Sequence, residues 1–434
     1  MRCLLHLDIR KFGPQRNRDS PSEWISSMSV IPFISAAKIA GLSTTTFNGL
    51  KTTSIAALAT TQMAALTADQ INALTSTDLQ FLVMTQVQAI SSTTMGGLIE
   101  AQIQAFTDTQ ISELTSTQVS ALNATEIGAL STTELQNLST TQASALTATQ
   151  IGTLSTTVLN NLTTTQVAAL NTTQVQGLTA SQLNALSIDH LNALDVTLLD
   201  ADQAAGLSTT AIGNLTATQV SVLPAAEIAA LDASQIAQLT TTELQNLSTT
   251  QANALTATQI STLSTTVLNN LTTTQVAALT STQVPGLYWS QINNLSISNL
   301  NVLDMAKLLP VQFVGLMTTT IINLTPTQVG ALSAADIGAL PEAGVNSLTT
   351  DELAALTTTQ AGGFTSAQIA GMTTTNFSAL SSTSGIPGLS TDAIAGLTTD
   401  EINSLSTTQG HAFLASQIAA MSLDVADALA ALIA

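Results

Sequence analysis

An apolar anchor residue recurs every eight positions along most of the chain. Leucine fills most of the anchors from Leu42 to Leu194, and Ile90 and Phe106 fill two of them. A coiled-coil seam repeats every seven residues and a strand face every two, so this spacing matches neither. The consensus octad, numbered here as positions 1 to 8, is Leu, Ser/Thr, Thr/Ala, Thr/Ser, Gln/Glu, Ile/Val/Leu, any residue, and Ala/Gly/Asn.

The polar positions of the octad predict the start of a helix. Ser or Thr at position 2, followed three residues later by Gln or Glu, is a capping box, in which each residue hydrogen-bonds the backbone N–H of the other. The anchor before the cap and the aliphatic residue at position 6 form the matching hydrophobic staple. In residues 130–154, "LSTTELQNLSTTQASALTATQIGTL", the predicted pairs are Ser131 with Glu134, Ser139 with Gln142, and Thr147 with Gln150.

Each octad therefore predicts one helix of under two turns. Isolated helices shorter than about 12 residues are marginal in water, so these must be held by stacking on their neighbours, as in a solenoid. The sequence predicts an all-α fold, an elongated solenoid with one very short helix per octad. Positions 1 and 6 are expected to form the core, and small residues at position 8 are expected to let successive helices approach closely.

A β-solenoid is the alternative fold, because threonine and valine favour strands. Position 6 lies five residues after the anchor of its own octad and three residues before the next anchor. A strand with a period of two would therefore place them on opposite faces. Glycine, at 22 of 434 residues, is also too scarce to supply a positive φ at every tight turn. The pattern favours the helical form.

The octads divide the chain into two predicted parts. Residues 1–33 lack the repeat and are predicted to be a non-repeat N-terminal segment, either disordered or, up to residue 27, upstream of a start at Met28. Residues 34–434 are predicted to be a single octad-repeat solenoid. Its register breaks lie at 195–207, 304–316 and 381–389.

The first two breaks are thirteen residues long and lie 109 residues apart, as do the near-identical segments 130–170 and 239–279. A block that contains its own break has therefore been duplicated. Asp195 and Asp304 replace the hydroxyl cap in these breaks, and the extra residues are expected to allow a longer helix. We expect a bend or a register correction there rather than a partner-binding site.

Composition narrows the function classes. The net charge is -19, and five of the eight basic residues lie within the first eighteen positions, so the repeat is acidic and nucleic-acid binding is not expected. Mean hydropathy is +0.36, yet Thr, Ser or Gln interrupts every apolar run, so no membrane span is predicted. Cys3 is the one cysteine, which excludes internal disulfides and thiolate zinc sites.

No catalytic residue, cofactor site or metal site is predicted, and the chain is not expected to be an enzyme. His190 occupies a glutamine position without a second histidine at metal-ligand spacing. Tyr288 and Trp289, in "LYWSQINNL", replace a cap and the residue after it, and they are the one candidate contact in the repeat. The acidic residues at position 5 are expected to serve as capping partners, stabilised by the helix dipole; they include Glu126, Glu134, Glu227, Glu243, Glu352 and Glu401.

The motif "LTTTQVAAL", at 162–170 and 271–279, resembles octapeptide-repeat segments of large secreted or surface proteins of bacteria. The resemblance extends over nearly the whole chain. It implies an adhesin-like or matrix role at an extracellular or cell-surface location, although no conventional signal peptide is visible.

These observations predict a non-enzymatic structural repeat protein. It would be an extracellular filament or matrix component, or an adhesin-like spacer, that self-associates end to end or side by side. The alternative is a binding module that presents a periodic Thr/Ser/Gln face to ice, polysaccharide or another ordered surface.

Overall fold

The computed structural model describes residues 31–434, which divide into two compact units that meet between Leu194 and Asp195. This boundary coincides with the start of the first predicted register break. The predicted non-repeat segment lies outside the described residues up to residue 30. The prediction that one solenoid spans residues 34–434 stays a prediction.

The first unit contains one 3-10 helix and α-helices of four to six residues. Its 3-10 helix is Ile31–Phe33. Its α-helices are Ala36–Ala40, Thr44–Asn48, Thr52–Ile55, Thr60–Met63, Ala68–Asn72, Ser76–Gln80, Met84–Ala89, Ser92–Met95, Glu100–Ile103, Asp108–Ser112, Ser116–Ala121, Ala124–Gly128, Thr132–Asn137, Thr140–Ala143, Ala148–Thr153, Thr156–Asn161, Thr164–Ala168, Thr172–Gln176, Ala180–Ala185 and Ile188–Ala193.

The second unit has the same construction and ends in one longer helix. Its 3-10 helices are Val196–Leu198, Val284–Gly286 and Met305–Lys307. Its α-helices are Ala201–Gly206, Thr209–Gly213, Ala217–Val222, Ala225–Ala230, Ala233–Ile236, Thr241–Asn246, Thr249–Ala254, Ala257–Thr262, Thr265–Asn270, Thr273–Ala277, Trp289–Ile292, Ile297–Leu300, Pro310–Phe313, Thr318–Ile321, Pro326–Gly330, Ala334–Ala339, Glu342–Val345, Thr350–Ala355, Thr358–Ala361, Ser366–Ala370, Thr374–Ser378, Gly385–Gly388, Thr391–Ile394, Thr399–Asn403, Thr407–Gly410, Ala415–Ala419 and Leu423–Ile433.

Capping boxes begin most of these helices, as predicted. Thr147 Oγ1 accepts from Gln150 N at 3.2 Å, and Gln150 Oε1 accepts from Thr147 N. The boxes predicted at Ser131 and Ser139 are also formed. Residues 31–434 contain no strand, so the all-α prediction is confirmed and the β-solenoid alternative is wrong. The capping bonds explain this outcome, because they recur in most octads and outweigh the strand preference of threonine.

The capping prediction fails at Glu227. The cap of the helix Ala225–Ala230 is Pro224, whose nitrogen carries no hydrogen, and no capping bond forms there. Glu227 is nevertheless buried, and its Oε2 atom has no hydrogen-bond partner.

Octads three apart along the chain lie against each other, so three octads make one coil of a solenoid. Ala124–Gly128 packs on Ala148–Thr153, and Thr164–Ala168 packs on Ile188–Ala193. The anchors and the aliphatic residues at position 6 are buried in nearly every octad, which confirms the predicted core. Each coil therefore buries its apolar face on the coils before and after it.

A buried glutamine at position 5 joins each coil to the one before it. Gln174 is 1% exposed, and its Oε1 accepts from Asn171 N, the cap of its own helix, at 3.0 Å. Its Nε2 donates to Ala143 O and Leu146 O, each at 2.8 Å, which lie 31 and 28 residues earlier in the chain. One carboxamide therefore satisfies a helix start and two carbonyl groups of the preceding coil. We call a position-5 side chain that makes these inter-coil bonds a connector.

Connectors recur in both units, and other donors occasionally take the place of glutamine. His190 Nε2 lies 2.6 Å from Leu162 O, and Thr94 Oγ1 donates to Leu66 O at 2.8 Å. The histidine flagged in the sequence thus has a structural role. Glutamine connectors include Gln62, Gln70, Gln86, Gln102, Gln110, Gln118, Gln142, Gln150, Gln166, Gln174 and Gln182 in the first unit, and Gln235, Gln251, Gln259, Gln275, Gln283, Gln291, Gln312, Gln328, Gln360, Gln368, Gln409 and Gln417 in the second.

Asparagine at position 7 makes a second bond between coils at some octads. Asn160 Nδ2 donates to Ala185 O, and Asn160 Oδ1 accepts from Ser187 N, each at 2.8 Å. Asn72 and Asn346 make the equivalent pair of bonds to residues 25 and 27 positions later. These amides satisfy backbone groups at the end of one helix and at the start of the next.

Small residues at position 8 allow close approach, although between coils rather than between successive helices. A Cβ atom on Gly177 would lie 2.8 Å from Ala148 Cα and from Ala148 O, and these two residues belong to octads three apart. The prediction that small residues at position 8 allow close packing is therefore correct. The packed neighbour is a helix of the adjacent coil, however, and not the next helix along the chain. The error arose because the number of octads per coil cannot be read from a single octad.

The thirteen-residue breaks do not contain a longer helix, which corrects that expectation. Leu199 and Leu308 are buried as additional anchors, so each break is a five-residue unit followed by a normal octad. The five-residue units form the 3-10 helices Val196–Leu198 and Met305–Lys307. Each unit replaces a whole octad in its coil, because five residues are enough for one 3-10 turn and an anchor.

The caps and connectors of the first two breaks show how the register is kept. Asp195 Oδ1 accepts from Thr197 N and Asp304 Oδ1 accepts from Ala306 N, so the predicted aspartate caps are confirmed. Gln312 bonds the carbonyls 28 and 25 residues earlier instead of 31 and 28, because its coil is three residues shorter. Lys307 Nζ supplies the connector of its own unit by donating to Leu279 O at 2.8 Å.

We predict that replacing a connector destabilises the protein far more than replacing an exposed glutamine of the same helix. Gln174→Leu leaves the Asn171 N–H and two carbonyl groups without this partner and should lower the free energy of unfolding by about 2–4 kcal/mol. Gln176→Leu, on the exposed side of Thr172–Gln176, should change it by less than about 0.5 kcal/mol. Urea unfolding followed by far-UV circular dichroism measures both, and equal effects would contradict the connector role.

Candidate functional site

Exposed hydroxyl groups at position 4 form rows along the solenoid. Thr93, Thr117, Thr141 and Thr165 are exposed, and each lies one 24-residue coil after the previous one. The glutamines at position 5 are buried instead. The predicted Thr/Ser/Gln face is therefore a Thr/Ser face, because the carboxamides are used as connectors.

The aromatic pair predicted as a candidate contact lies on the surface of the second unit. Tyr288 is 60% exposed and Trp289 is 47% exposed. Tyr288 is the cap of Trp289–Ile292, and its backbone N–H donates to Gln291 Oε1 at 2.7 Å. The octad keeps its connector, Gln291, although aromatic residues replace the consensus residues at positions 2 and 3.

The coil that follows the aromatic pair contains the second five-residue unit, and this shortening brings the octad 308–315 onto the octad 287–294. Gln312 Nε2 donates to Leu287 O, and Asn293 Nδ2 donates to Gly315 O at 2.9 Å. A Cβ atom on Gly315 would lie 2.4 Å from Cγ and Cδ2 of Trp289. The indole ring therefore lies directly against the backbone of the next coil, at a position where only glycine leaves room.

Four further apolar side chains are exposed on this octad and the next. Leu309, Val311, Val314 and Met317 occupy positions that carry Thr, Ser, Ala or other small and polar residues in most octads. Met317 N donates to Asn293 Oδ1 at 3.0 Å, which places it beside the octad of the aromatic pair. We call the set Tyr288, Trp289, Leu309, Val311, Val314 and Met317 the apolar surface.

The sequence analysis named only the aromatic part of the apolar surface. Its aliphatic members lie about twenty residues later in the chain. Their proximity follows from the number of units per coil and from the five-residue unit, neither of which was known from sequence. The signal that could have found them is the loss of the hydroxyl residues at positions 2 and 4 in octad 308–315.

A groove of about 360 Å³ lies between Pro326–Gly330 and Thr350–Ala355. Asp351 and Glu352 line it together with aliphatic side chains, and no His, Cys or Lys is among its lining residues. Glu352 Oε2 already accepts from Thr349 N at 2.9 Å. The groove therefore presents two carboxylates and the Thr349 hydroxyl, without an imidazole, thiol or amine among its lining residues.

Two of the acidic residues at position 5 have raised pKa values. Burial raises the pKa of Glu126 against the opposing effect of a hydrogen bond from the Asn123 backbone. Burial also raises the pKa of Glu401, with a smaller contribution from the charge of Asp400, and hydrogen bonds from Thr398 oppose this. In both residues, burial disfavours the ionised carboxylate more than these hydrogen bonds favour it.

Asp78 shows the opposite shift at the same position of its octad. Burial is the largest effect and would raise its pKa, but hydrogen bonds from Thr75 and from the Thr52 side chain together lower it. Thr52 lies one coil earlier in the chain. A hydroxyl donor from the preceding coil therefore stabilises the ionised form of Asp78, which has no hydrogen to donate.

No group of three or more His, Cys, Asp or Glu side chains within residues 31–434 could hold a metal ion. The one ion pair that joins two side chains there is Lys307 with Asp304, at 3.4 Å. None of the helices in that same range is long and apolar enough to cross a membrane.

Comparison with known proteins gives little information about this chain. No family model matches it, and no curated protein matches it significantly. The crystal structure of the leucine-rich repeat-containing protein LegL7 from Legionella pneumophila is similar at 12% sequence identity, over 57% of this chain and 80% of that one, with a TM-score of 0.18. A TM-score this low carries no argument about fold or function.

We predict that a methyl group at residue 315 displaces the indole ring. Gly315→Ala should move Trp289 into solvent, with a red shift of its fluorescence and faster quenching by acrylamide, measured in a Trp24→Phe background so that one tryptophan remains. Gly330→Ala is the matched control, because a Cβ atom there meets no other atom within 4 Å. An unchanged spectrum in Gly315→Ala would contradict the contact between Trp289 and Gly315.

Proposed function

We propose that the protein is a non-enzymatic structural repeat protein, an extracellular spacer or adhesin-like matrix component that self-associates. The observation that carries this proposal is the series of connectors. In many octads the position-5 side chain joins coils, so the polar group that recurs most regularly in the repeat is directed inward. A chain built in this way supplies length and a repetitive surface rather than one catalytic pocket.

The character of the surface supports this proposal. The outward positions carry mainly Thr, Ser, Ala and isolated acidic residues, and the groove at Asp351 and Glu352 has no His, Cys or Lys among its lining residues. Only 8% of all residues are charged. The resemblance of "LTTTQVAAL" to octapeptide segments of secreted and surface bacterial proteins supports an extracellular location.

The two ends of the described chain favour side-by-side over end-to-end association. In the first coil, position 5 carries Lys38, Thr46 and Ser54 instead of glutamine, so no carboxamide connector is present to join a preceding copy. At the other end, Leu423–Ile433 packs on Thr399–Asn403 and buries Val425 and Leu429. A coil without a carboxamide connector, or one covered by an added helix, offers fewer contacts to a stacked copy.

The apolar surface is the feature best suited to lateral contact between copies, because exposed aromatic and aliphatic side chains contribute most to protein interfaces. We predict that Tyr288→Thr combined with Trp289→Ala, which restores consensus residues, weakens self-association by at least about tenfold. Sedimentation velocity over a concentration series measures this, with circular dichroism to confirm folding.

The matched control is Ile188→Ala, which removes an exposed aliphatic side chain from the first unit and should leave association unchanged. Electron microscopy of the unmodified protein should show lateral assemblies. A monomer at every concentration would contradict the proposed self-association, while leaving the spacer role to be tested by imaging of single molecules.

The exposed threonine rows support a second candidate, a binding module for an ordered surface such as ice or polysaccharide. Thr117 and Thr141 mark adjacent coils of one row, so their hydroxyl groups repeat with the spacing of the coils. Replacing both by Lys should abolish thermal hysteresis or glycan binding if this function is present. The absence of both activities in the unmodified protein would remove this candidate.

A further inference from the structure

Glu126 occupies a connector position without being able to act as a connector when it is ionised. It is 1% exposed, and its Oε2 accepts from Asn123 N, the cap of its own helix, at 2.6 Å. A glutamine here would use its Nε2 hydrogens to bond the preceding coil. A carboxylate has no hydrogen to donate, and Glu126 Oε1 is buried without a hydrogen-bond partner.

The register of the neighbouring connector shows what Glu126 Oε1 faces. Gln118 Nε2 donates to Val87 O and Ile90 O, 31 and 28 residues earlier, each at 2.8 Å. The same offsets from Glu126 give Met95 O and Leu98 O. No hydrogen bond between described residues has Leu98 O as its acceptor, whereas Leu98 N donates to Met95 O. Glu126 Oε1 and Leu98 O are therefore two acceptors at corresponding positions, where the adjacent octad has the donor Gln118 Nε2 and the acceptor Ile90 O.

We propose that Glu126 is a proton-dependent connector, whose neutral carboxyl group donates from Oε1 to Leu98 O and joins its coil to the preceding one under mildly acidic conditions. The proton comes from solvent, and Oε2 keeps its bond from the Asn123 N–H in both states. The protonated side chain then reproduces the acceptor and donor arrangement of a glutamine connector.

The two described helices that pack on the helix of Glu126 carry no Lys, Arg or His side chain. Ala124–Gly128 packs on Glu100–Ile103 and on Ala148–Thr153. Glu100 is the one titratable residue on those two helices; it is exposed, and its Oε1 accepts from Gln104 Nε2. Glu134 of the next octad is also acidic, and it accepts from Ser131 N. Protonation would satisfy Glu126 Oε1 with groups that the chain itself supplies.

The direction of the pH dependence follows from the raised pKa of Glu126, which burial causes. The folded chain holds this proton at pH values where the unfolded chain has lost it. The resulting stabilisation is complete below the ordinary pKa of glutamate and is lost as pH rises through the raised pKa of the folded state. Asp78 differs, because the Thr52 hydroxyl donates to its carboxylate and its pKa is lowered.

Glu126→Gln tests the proposal directly, because it installs a permanent connector. At pH 7.5 the variant should melt about 2–4 °C higher than the unmodified protein. The difference should shrink toward zero as pH falls to 4.5, because the unmodified protein gains its own donor. Amide hydrogen exchange of peptides covering residues 92–103 and 123–128 should be slower in the variant at pH 7.5 and equal in both proteins in acid.

Two matched variants isolate the effect. Gln118→Glu should create a second connector of the same kind, with a melting temperature that is lower at pH 7.5 and recovers in acid. Glu113→Gln removes an exposed negative charge in the same region and should leave the melting temperature unchanged at each pH.

Three results would overturn the proposal. One is a stability difference between Glu126→Gln and the unmodified protein that does not vary with pH. Another is a Glu113→Gln effect as large as that of Glu126→Gln. The third is stabilisation of the unmodified protein at pH 7.5 by Ca²⁺, absent in Glu126→Gln, which would assign the site to a cation instead of a proton.

Discussion

The structure depends on one property of the glutamine side chain, namely that it carries an acceptor and a donor on the same planar group. At position 5 the oxygen accepts from the start of the local helix and the nitrogen donates to carbonyl groups one coil earlier, as Gln174 does. Helices of four to six residues leave most of their backbone groups without intrahelical partners. A fold made almost entirely of helix ends is stable only if most of those groups are satisfied, and the connectors satisfy helix starts and carbonyl groups in many octads of both units.

The sequence predicted the local structure well because capping is encoded within a single octad. Cap, partner and staple residues such as Ser139, Gln142 and Leu138 are separated by at most four positions. The arrangement of the coils was not predictable in this way. Whether Gln142 donates to residues 16, 24 or 28 positions earlier depends on the packing of Leu and Ile side chains between coils, and the octad is nearly the same in all cases.

The same limit explains which parts of the candidate site were found. Tyr288 and Trp289 depart from the octad in adjacent positions and were visible as an anomaly. Leu309 and Val311 become their neighbours only because Met305–Lys307 completes a coil with five residues. The five-residue unit itself was visible as a thirteen-residue gap. The division of this gap into a five-residue unit and an octad could be recognised only from the structure, in which Leu308 is buried as an anchor.

The interior positions of the octad therefore determine how coils stack, and the outward positions determine the character of the surface. Position 5 and the anchors determine the stacking of the coils, and His190 and Lys307 replace glutamine there by donating to the same carbonyl row. The outward positions are free to vary, and they carry the threonine rows and the apolar surface. Acidic residues at position 5 are an exception, because there a change of protonation acts on the interior directly.

The exchange rates of glutamine side-chain hydrogens test the central claim most directly. In the intact protein, with ¹⁵N-labelled glutamine, the Nε2 hydrogens of Gln118, Gln174 and the other connectors should be protected from exchange with D₂O. Those of exposed glutamines such as Gln176 should exchange at the rate of a free amide. Two well-separated populations are the result that the connectors predict. A single population exchanging at the free-amide rate would contradict them.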